Sequence, residues 1–318
     1  MKGLWITWEH QRRNQGISAA LGWPLHEIVY GGPRILRYAR SVFRTAEVVI
    51  RERPDVLAVQ NPSIVLAIFA VFLKRFLGMK VVIDAHNSGI YPAGGRNAFF
   101  MHLARFLQKA ADLTIVTNPG LQRVVESRHG KAFVLPDRSP DVPDVPAMEL
   151  KGRSNIAYIC TFSPDEPYHE VLEAARALTD EVAFYVTGDY SRKIRPASVP
   201  ANVRLLGFVP EIAYWSLLSS VDFVMDLTFR ENCLLCGAYE GVAVEKPLIL
   251  SDTEALRAYF SKGCIYVGPT RESIVAGIRR AIEERTALHD GIRELGEELG
   301  SLWIQRLEVL RQSIRSLF

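Results

Sequence analysis

The stretch from Asp226 to Asp252 has the residue types and order of a nucleoside-diphosphate site. Phe223-Val224-Met225-Asp226 reads as a strand, 227–236 as a loop, 237–244 as a helix and 247–250 as a second strand. A loop that feeds a helix N-terminus presents unpaired backbone N–H groups and the positive end of the helix dipole, which together hold a diphosphate. A carboxylate about one turn further in reaches both hydroxyls of a ribose, and Glu240 is at that place. Its neighbours Ala238, Val242, Ala243 and Val244 are small and apolar. The helix is therefore expected to be buried, where a carboxylate without a partner is costly. Cys233-x-x-Cys236 lies in the same loop. One such pair, with no second pair and no histidines at ligand spacing, is a poor zinc site. These cysteines read instead as small apolar loop residues. With no Asp-x-Asp in the chain, no metal is implied.

Such a site needs strands to carry it, and the chain supplies them twice. Strand-like runs at 4–7, 26–30, 56–60, 81–84, 113–117 and 132–135 alternate with helical patterns at 35–51, 63–77, 99–111 and 121–128. Residues 136–146 then hold four prolines, which neither a helix nor a central strand accepts. The alternation resumes with strands at 156–160, 183–187, 203–206, 223–226, 247–250 and 264–267. This pattern predicts an α/β protein with parallel sheets. The expected organisation is an N-terminal domain at 1–138, a linker at 139–152, a C-terminal domain at 153–300 and an amphipathic helix at 301–318. In doubly wound sheets ligands bind at the carboxyl ends of the strands.

Composition narrows the class. The 318 residues are 48% hydrophobic and 23% charged, enough for two cored domains. The longest apolar run, 64–73, is half of what a bilayer-spanning helix requires. Four cysteines make no disulfide framework, and Met1-Lys2-Gly3-Leu4-Trp5 runs directly into a strand, so a reducing cytoplasm is the expected compartment. Residues 1–150 hold 19 Lys+Arg against 12 Asp+Glu, and the remainder 19 against 23. A basic half and an acidic half point to different partners.

The segment Tyr239-Glu240-Gly241-Val242-Ala243-Val244-Glu245-Lys246-Pro247-Leu248-Ile249-Leu250-Ser251-Asp252 resembles the second half of the signature of family-4 type GT-B glycosyltransferases, in which E-x7-E precedes a helix of small residues, a turn and a strand ending in Ser-Asp. Val186-Thr187-Gly188-Asp189, the run 203–209 and the run 217–222 are similar to that family in the same order. The resemblance covers most of 154–270 and implies the GT-B fold, two Rossmann-like doubly wound domains facing across a cleft, with the C-terminal helix packing back on the N-terminal domain. It implies a nucleoside-diphosphate sugar as donor, UDP- or GDP-linked, and no further cofactor. On this reading Glu240, Asn232, Cys233, Leu234, Ser163, Arg192, Lys193 and Gly188 bind the donor. Asn232 stands eight before Glu240, where the family has its first glutamate, and Glu231 is one residue early. That departure removes the charge found near the donor sugar in retaining members. Cys160-Thr161-Phe162-Ser163-Pro164-Asp165-Glu166-Pro167 is instead similar to a segment of the inverting β-mannosyltransferases that build on chitobiosyl-diphospho-dolichol.

Two further segments, Gln60-Asn61-Pro62-Ser63 and Asp84-Ala85-His86-Asn87-Ser88-Gly89, look like parts of those inverting enzymes. Asp84 is a candidate for the base that an inverting displacement needs, and His86 for binding a sugar hydroxyl or phosphate. Trp8 to Gly16 reads as a loop overhanging the cleft, with Glu9 as a rival base and Arg12 or Arg13 for an anionic acceptor. Arg37, Arg44 and Arg51 lie seven apart with Arg40 beside them, on one helix face, and basic residues mix with aromatics in two further segments: Phe72, Lys74, Arg75 and Phe76; and Phe99, Phe100, Arg105, Phe106 and Lys109. That mix suits an anionic membrane surface. The reading favoured over a nucleic-acid partner is a peripheral enzyme at the inner face of the cell membrane, glycosylating a lipid-diphosphate-linked or saccharide acceptor. The alternatives are a sugar-nucleotide epimerase of the same fold and a silent sugar-nucleotide-binding partner of another transferase.

Overall fold

A computed structural model describes residues 1–61 and 63–318. Pro62, in the Gln60–Ser63 segment singled out above, lies outside the described residues. The chain groups into two compact units, residues 1–138 with 302–318, and residues 139–301. Both are α/β units built on a parallel sheet.

The N-terminal unit carries β1 (Gly3–Thr7), β2 (Leu25–Glu27), β3 (Val56–Asn61), β4 (Lys80–Ala85), β5 (Leu113–Val116) and β6 (Ala132–Val134), in the order β2-β1-β3-β4-β5-β6. Leu4, Trp5, Ile6, Leu57, Ala58, Val59, Val81 and Val82 are fully buried. Strands of this kind are near-continuous apolar runs because helices cover both faces. On one face, helices Arg34–Glu52, Ile64–Leu77, Ala98–Ala110 and Pro119–Ser127 pack onto Leu4, Ile6, Leu57 and Val81. On the other, helix Arg12–Leu21 and the C-terminal residues Trp303, Leu307, Leu310 and Ile314 pack onto Trp5, Ala58, Val82 and Ile115. The helix Arg12–Leu21 corrects the expected loop over Trp8–Gly16: only 8–11 is loop, and Arg12 and Arg13 open the helix.

The C-terminal unit carries β7 (Ser154–Ile159), β8 (Val182–Thr187), β9 (Val203–Gly207), β10 (Phe223–Asp226), β11 (Leu248–Ser251) and β12 (Cys264–Val267), in the order β12-β11-β10-β7-β8-β9. This is the dinucleotide-fold order, and its direction reverses between β7 and β10, the place where such sheets bind ligands. The proline-rich segment is more than a tether. Residues 135–151 form no regular element, yet the Met148 N–H donates to Ser220 Oγ at 2.8 Å and the Lys151 N–H to Tyr185 Oη at 3.0 Å. Val145, Met148 and Leu150 pack on the unit's core.

The tail helix is longer than its apolar stripe predicts, running Arg285–Arg315. Its first half holds Gly291, which lowers helical propensity. A Cβ there would stand 2.7 Å from the Gly263 nitrogen, so the glycine permits a close backbone crossing.

Candidate functional site

In the C-terminal unit the loops after β7 and β10 meet at the switch point. The Glu166 carboxylate closes the first loop on itself. It accepts from the Thr161 N–H at 2.9 Å, Thr161 Oγ1 at 2.7 Å, the Ser163 N–H at 3.0 Å and the Cys160 thiol at 3.2 Å. Ser163 Oγ donates to Asp165 Oδ1 at 2.5 Å. Asp165 then joins the two loops: its carbonyl accepts the Phe229 N–H at 2.7 Å, and its carboxylate pairs with Arg230 Nε at 2.8 Å. Gly188 is where β8 ends against this loop. Its φ is +94°, and a Cβ would lie 1.9 Å from the Cys160 carbonyl oxygen. Gly188 therefore shapes the floor of the site through backbone approach.

Glu240 lies half-buried on helix Cys236–Ala243. Tyr214, on helix Glu211–Ser220, donates its hydroxyl to Glu240 Oε2 at 2.5 Å. Burial, then the Glu240 charge beside it, push the Tyr214 hydroxyl far above its usual range, so it stays a donor. Asp226, at the end of β10, reaches the start of the same helix, where its Oδ2 accepts the Gly237 N–H at 2.9 Å. A Cβ on residue 237 would meet that oxygen at 2.7 Å, so the contact requires glycine. Burial raises the Asp226 carboxyl well above the usual range; the Gly237 N–H opposes this, and Glu166 and Glu240 add to it. Asn232, Cys233 and Leu234 are half-buried in the loop leading to the helix, while Cys236 is exposed. Arg192 and Lys193 lie exposed in the turn after β8. All four cysteines are free thiols.

In the N-terminal unit the strand ends carry a different network. Arg13 donates from Nε to both Asp84 oxygens at 3.1 and 3.0 Å, and from Nη2 to Asp84 Oδ1 at 2.8 Å and the Leu135 carbonyl at 2.9 Å. Its Nη1 reaches Asp137 Oδ1 at 2.5 Å. The Arg13 and Asp84 side chains are 4% and 1% exposed. Burial alone would raise the Asp84 carboxyl, but the Arg13 charge and the neighbouring His86 outweigh it and hold the group far below the usual range. Two expectations change here. A sealed carboxylate with both oxygens on a guanidinium is a poor base, and an arginine so engaged is not placed for an acceptor anion. Asp84 and Arg13 are a structural pair that ties β4 to helix Arg12–Leu21 and to the segment after β6.

His86 is nearby, with Nε2 3.6 Å from Asp84 Oδ2, beyond hydrogen-bond reach. Its Nε2, Gln60 Nε2 and Asn61 Oδ1 are buried without a hydrogen-bond partner. Gln60 and Asn61 face Asp84 and Ala85 across the β3–β4 ladder, so the three atoms belong to adjacent strand ends. Buried polar atoms left unpaired in a native structure point to a ligand or ordered water. Glu9 in the loop and Arg12 at the helix start are both exposed. The sequence reading named Asp226 as a strand end and Glu166 within the Cys160–Pro167 segment but gave neither a role, and it missed Tyr214. The only signal for Asp226 was its position at a strand end before a glycine-led helix.

The arginine row of helix Arg34–Glu52 is also partly engaged. Arg44 pairs with Glu47 at 2.6 Å, Arg51 with Glu52 at 3.2 Å, and Arg34 and Arg37 lie over the Tyr38 ring. The outward faces show apolar groups among the cations. Phe43 is 76% exposed, Phe76 68%, Phe99 71% and Phe106 56%.

No protein-family model matches the chain, and no curated protein matches it. Solved structures do. Sucrose-phosphate synthase from Thermosynechococcus elongatus superposes with a TM-score of 0.80 at 13% identity, over 100% of this chain and 99% of the other. Anabaena HepE in complex with UDP-glucose gives 0.74 at 11% identity, over 98% and 100%. A Listeria monocytogenes protein assigned as a UDP-N-acetylglucosamine 2-epimerase gives 0.62 at 12% identity, over 99% and 96%. At these identities the likeness is one of fold, and the fold is the two-domain, Rossmann-like GT-B fold.

Proposed function

We propose that this protein is a glycosyltransferase that moves a sugar from a nucleoside-diphosphate donor to a hydroxyl of a lipid-linked or saccharide acceptor. The observation that carries the reading is Glu240, held by Tyr214 at 2.5 Å on the helix that follows the switch-point strand β10. A carboxylate fixed in this way is pre-oriented for the two ribose hydroxyls. The start of its helix takes the diphosphate, with Arg192 and Lys193 for the remaining charge. HepE, of the same fold, was crystallised with UDP-glucose, which supports a uridine donor here.

In the reaction the acceptor oxygen forms a bond to the anomeric carbon. The bond from that carbon to the diphosphate oxygen breaks, and the nucleoside diphosphate leaves with the electron pair. The acceptor's proton passes to a base. With Asp84 engaged by Arg13, that role falls to His86 or Glu9. Asn232 brings no charge to the donor sugar, which favours inversion. The unpaired atoms of Gln60, Asn61 and His86 are a polar patch suited to sugar hydroxyls. The basic, aromatic helices of the N-terminal unit suit the anionic inner face of the cell membrane, where lipid-diphosphate acceptors are presented.

A thermal-shift screen against UDP-, GDP- and TDP-sugars tests the donor, since a ligand of the folded state raises the midpoint by mass action. Transfer to a lipid-diphosphate acceptor, with the product anomer read by NMR, tests the chemistry. A product with the donor's own anomeric configuration would reject inversion. The second reading is an epimerase, favoured by the fold match to the Listeria protein. It predicts turnover of a UDP-sugar with no acceptor present.

A further inference from the structure

Helix Ala98–Ala110 borders a groove of about 570 Å³ lined by Tyr91, Arg105, Val124, Ser127, Arg128 and His129. The lining offers two guanidiniums, an imidazole, a hydroxyl and a phenol, and no carboxylate. Arg128 is fixed in place: its Nη1 donates to the Ile90 carbonyl at 3.1 Å and to Gln108 Oε1 at 3.0 Å, and its guanidinium lies 5.4 Å from the Tyr91 ring centroid. Burial lowers the Arg128 guanidinium from its usual range, Tyr91 opposes this, and the like charge of Arg105 adds to it. A bound anion relieves both strains on that charge.

The groove lies where helix Pro119–Ser127 ends, and a helix C-terminus disfavours anions. That effect is muted here. The Val125 carbonyl accepts the Arg128 and Gly130 N–H groups at 3.1 and 3.0 Å, and the Glu126 carbonyl accepts the His129 N–H at 2.9 Å. The side-chain cations therefore set the sign of the groove.

The helices beside it show apolar groups among cations. On helix Ala98–Ala110, Phe99, His102, Arg105, Phe106 and Lys109 recur at helical spacing and are all exposed. On the adjacent helix Ile64–Leu77, Ile68, Phe72, Arg75 and Phe76 do the same, with the Phe72 and Phe76 rings 4.9 Å apart. Neither helix contains an acidic residue. A water-soluble phosphate has no use for exposed phenylalanines on the same helix face as its arginine, whereas a bilayer needs both. We infer that this groove seats the phosphate of an anionic membrane lipid while Phe99 and Phe106 enter the bilayer beside it. The inference rests on the membrane reading above and adds a headgroup site to it.

The test is sedimentation of the full chain with vesicles of phosphatidylcholine, alone or mixed with phosphatidylglycerol or with oleate at matched surface charge. Binding is expected to be tightest with phosphatidylglycerol. Arg105→Gln combined with His129→Gly should weaken that binding by about 5-fold or more and affect oleate vesicles less, since each surface cation contributes about that factor. Residue 129 has φ +61°, which glycine adopts freely, and Arg105 is exposed, so the variant keeps its fold, checked by its melting midpoint. A control pair, Arg40→Gln with Arg75→Gln, should weaken binding to both anionic vesicles alike. If the groove variant also weakens both alike, the headgroup site is wrong and membrane binding stands. If no anionic vesicle binds, both fail. If inorganic phosphate raises the midpoint through Arg105 and His129 while vesicles do not bind, the ligand is soluble and the lipid assignment is overturned.

Discussion

Each unit buries an aspartate at the end of a strand near the middle of its sheet, and the two are treated in opposite ways. Asp84, at the end of β4, meets a guanidinium through both oxygens and is held far below the ordinary carboxyl range. Asp226, at the end of β10, has the Gly237 N–H on Oδ2, feels Glu166 and Glu240 nearby, and is raised well above that range. The first is an ion pair that ties its strand to helix Arg12–Leu21. The second is pushed toward neutrality at the start of a helix, so it accepts one backbone N–H without cancelling the positive end of the helix dipole. A neutral acid there leaves the helix start available for a diphosphate, and a charged one would repel it. Closure is thus the property of the Asp84 pair, and availability that of the helix start beside Asp226.

The largest effect should come from breaking the closed pair. Arg13→Ala leaves the Asp84 carboxylate buried without its guanidinium partner, which costs about 3–5 kcal/mol at neutral pH, measured by urea unfolding. The pH dependence should also change sign. In the native chain the depressed Asp84 contributes stability that is complete above the unfolded value of about 3.9 and is lost as pH falls below it. Without Arg13, burial is the largest influence and raises the group against the opposing effect of His86, so the variant should gain stability as pH falls toward about 4. An Arg13→Ala chain as stable as the native one would reduce the pair to an ordinary surface contact. Next in size is Gly188→Ala. A φ of +94° and a Cβ 1.9 Å from a carbonyl oxygen should cost about 2–4 kcal/mol in the same experiment.

Glu240→Gln probes the available side, through binding more than stability. The amide oxygen still accepts from Tyr214, so the melting midpoint of the free chain should move little. Losing a charge-assisted bond to the ribose should weaken the nucleotide by about 10- to 100-fold. Isothermal titration with the nucleotide found in the thermal-shift screen measures it. Unchanged affinity would move the ribose elsewhere.

The strands were legible because parallel sheets covered on both faces produce uninterrupted apolar runs, and Leu4-Trp5-Ile6 and Phe223-Val224-Met225 are such runs. Helix Arg12–Leu21 was not legible. It buries Asn14, Ile17 and Ser18, so the face it turns inward is mostly polar and no apolar period marks it. That omission concealed the role of Arg13, whose partner Asp84 is 71 residues away. The helix bearing Glu240 could be read from its small residues and its place after a strand. Tyr214, 26 residues upstream, could not, since nothing in local pattern says that its hydroxyl points at Glu240.

The smallest effect expected is that of Asp226→Asn, and its smallness is the informative part. A group raised in the folded state adds stability that is complete below its unfolded pKa and is lost as pH rises toward the folded one. The native chain should therefore lose stability from this group as pH climbs above about 4. Asparagine keeps the oxygen that accepts the Gly237 N–H and does not titrate. Below pH 4 the variant should match the native chain within about 1 kcal/mol, a neutral side chain replacing a neutral acid of the same shape. Toward neutral pH it should become equal or slightly more stable, and its nucleotide affinity should hold or improve. Asp84→Asn offers the contrast, because it takes from Arg13 the carboxylate that holds its Nε and Nη2 and leaves Asp137 as the remaining counter-charge, so it should destabilise at every pH above 4. If Asp226→Asn instead costs as much as Asp84→Asn at neutral pH, Asp226 is an anion with an unrecognised counter-charge. The two strand ends would then be built alike.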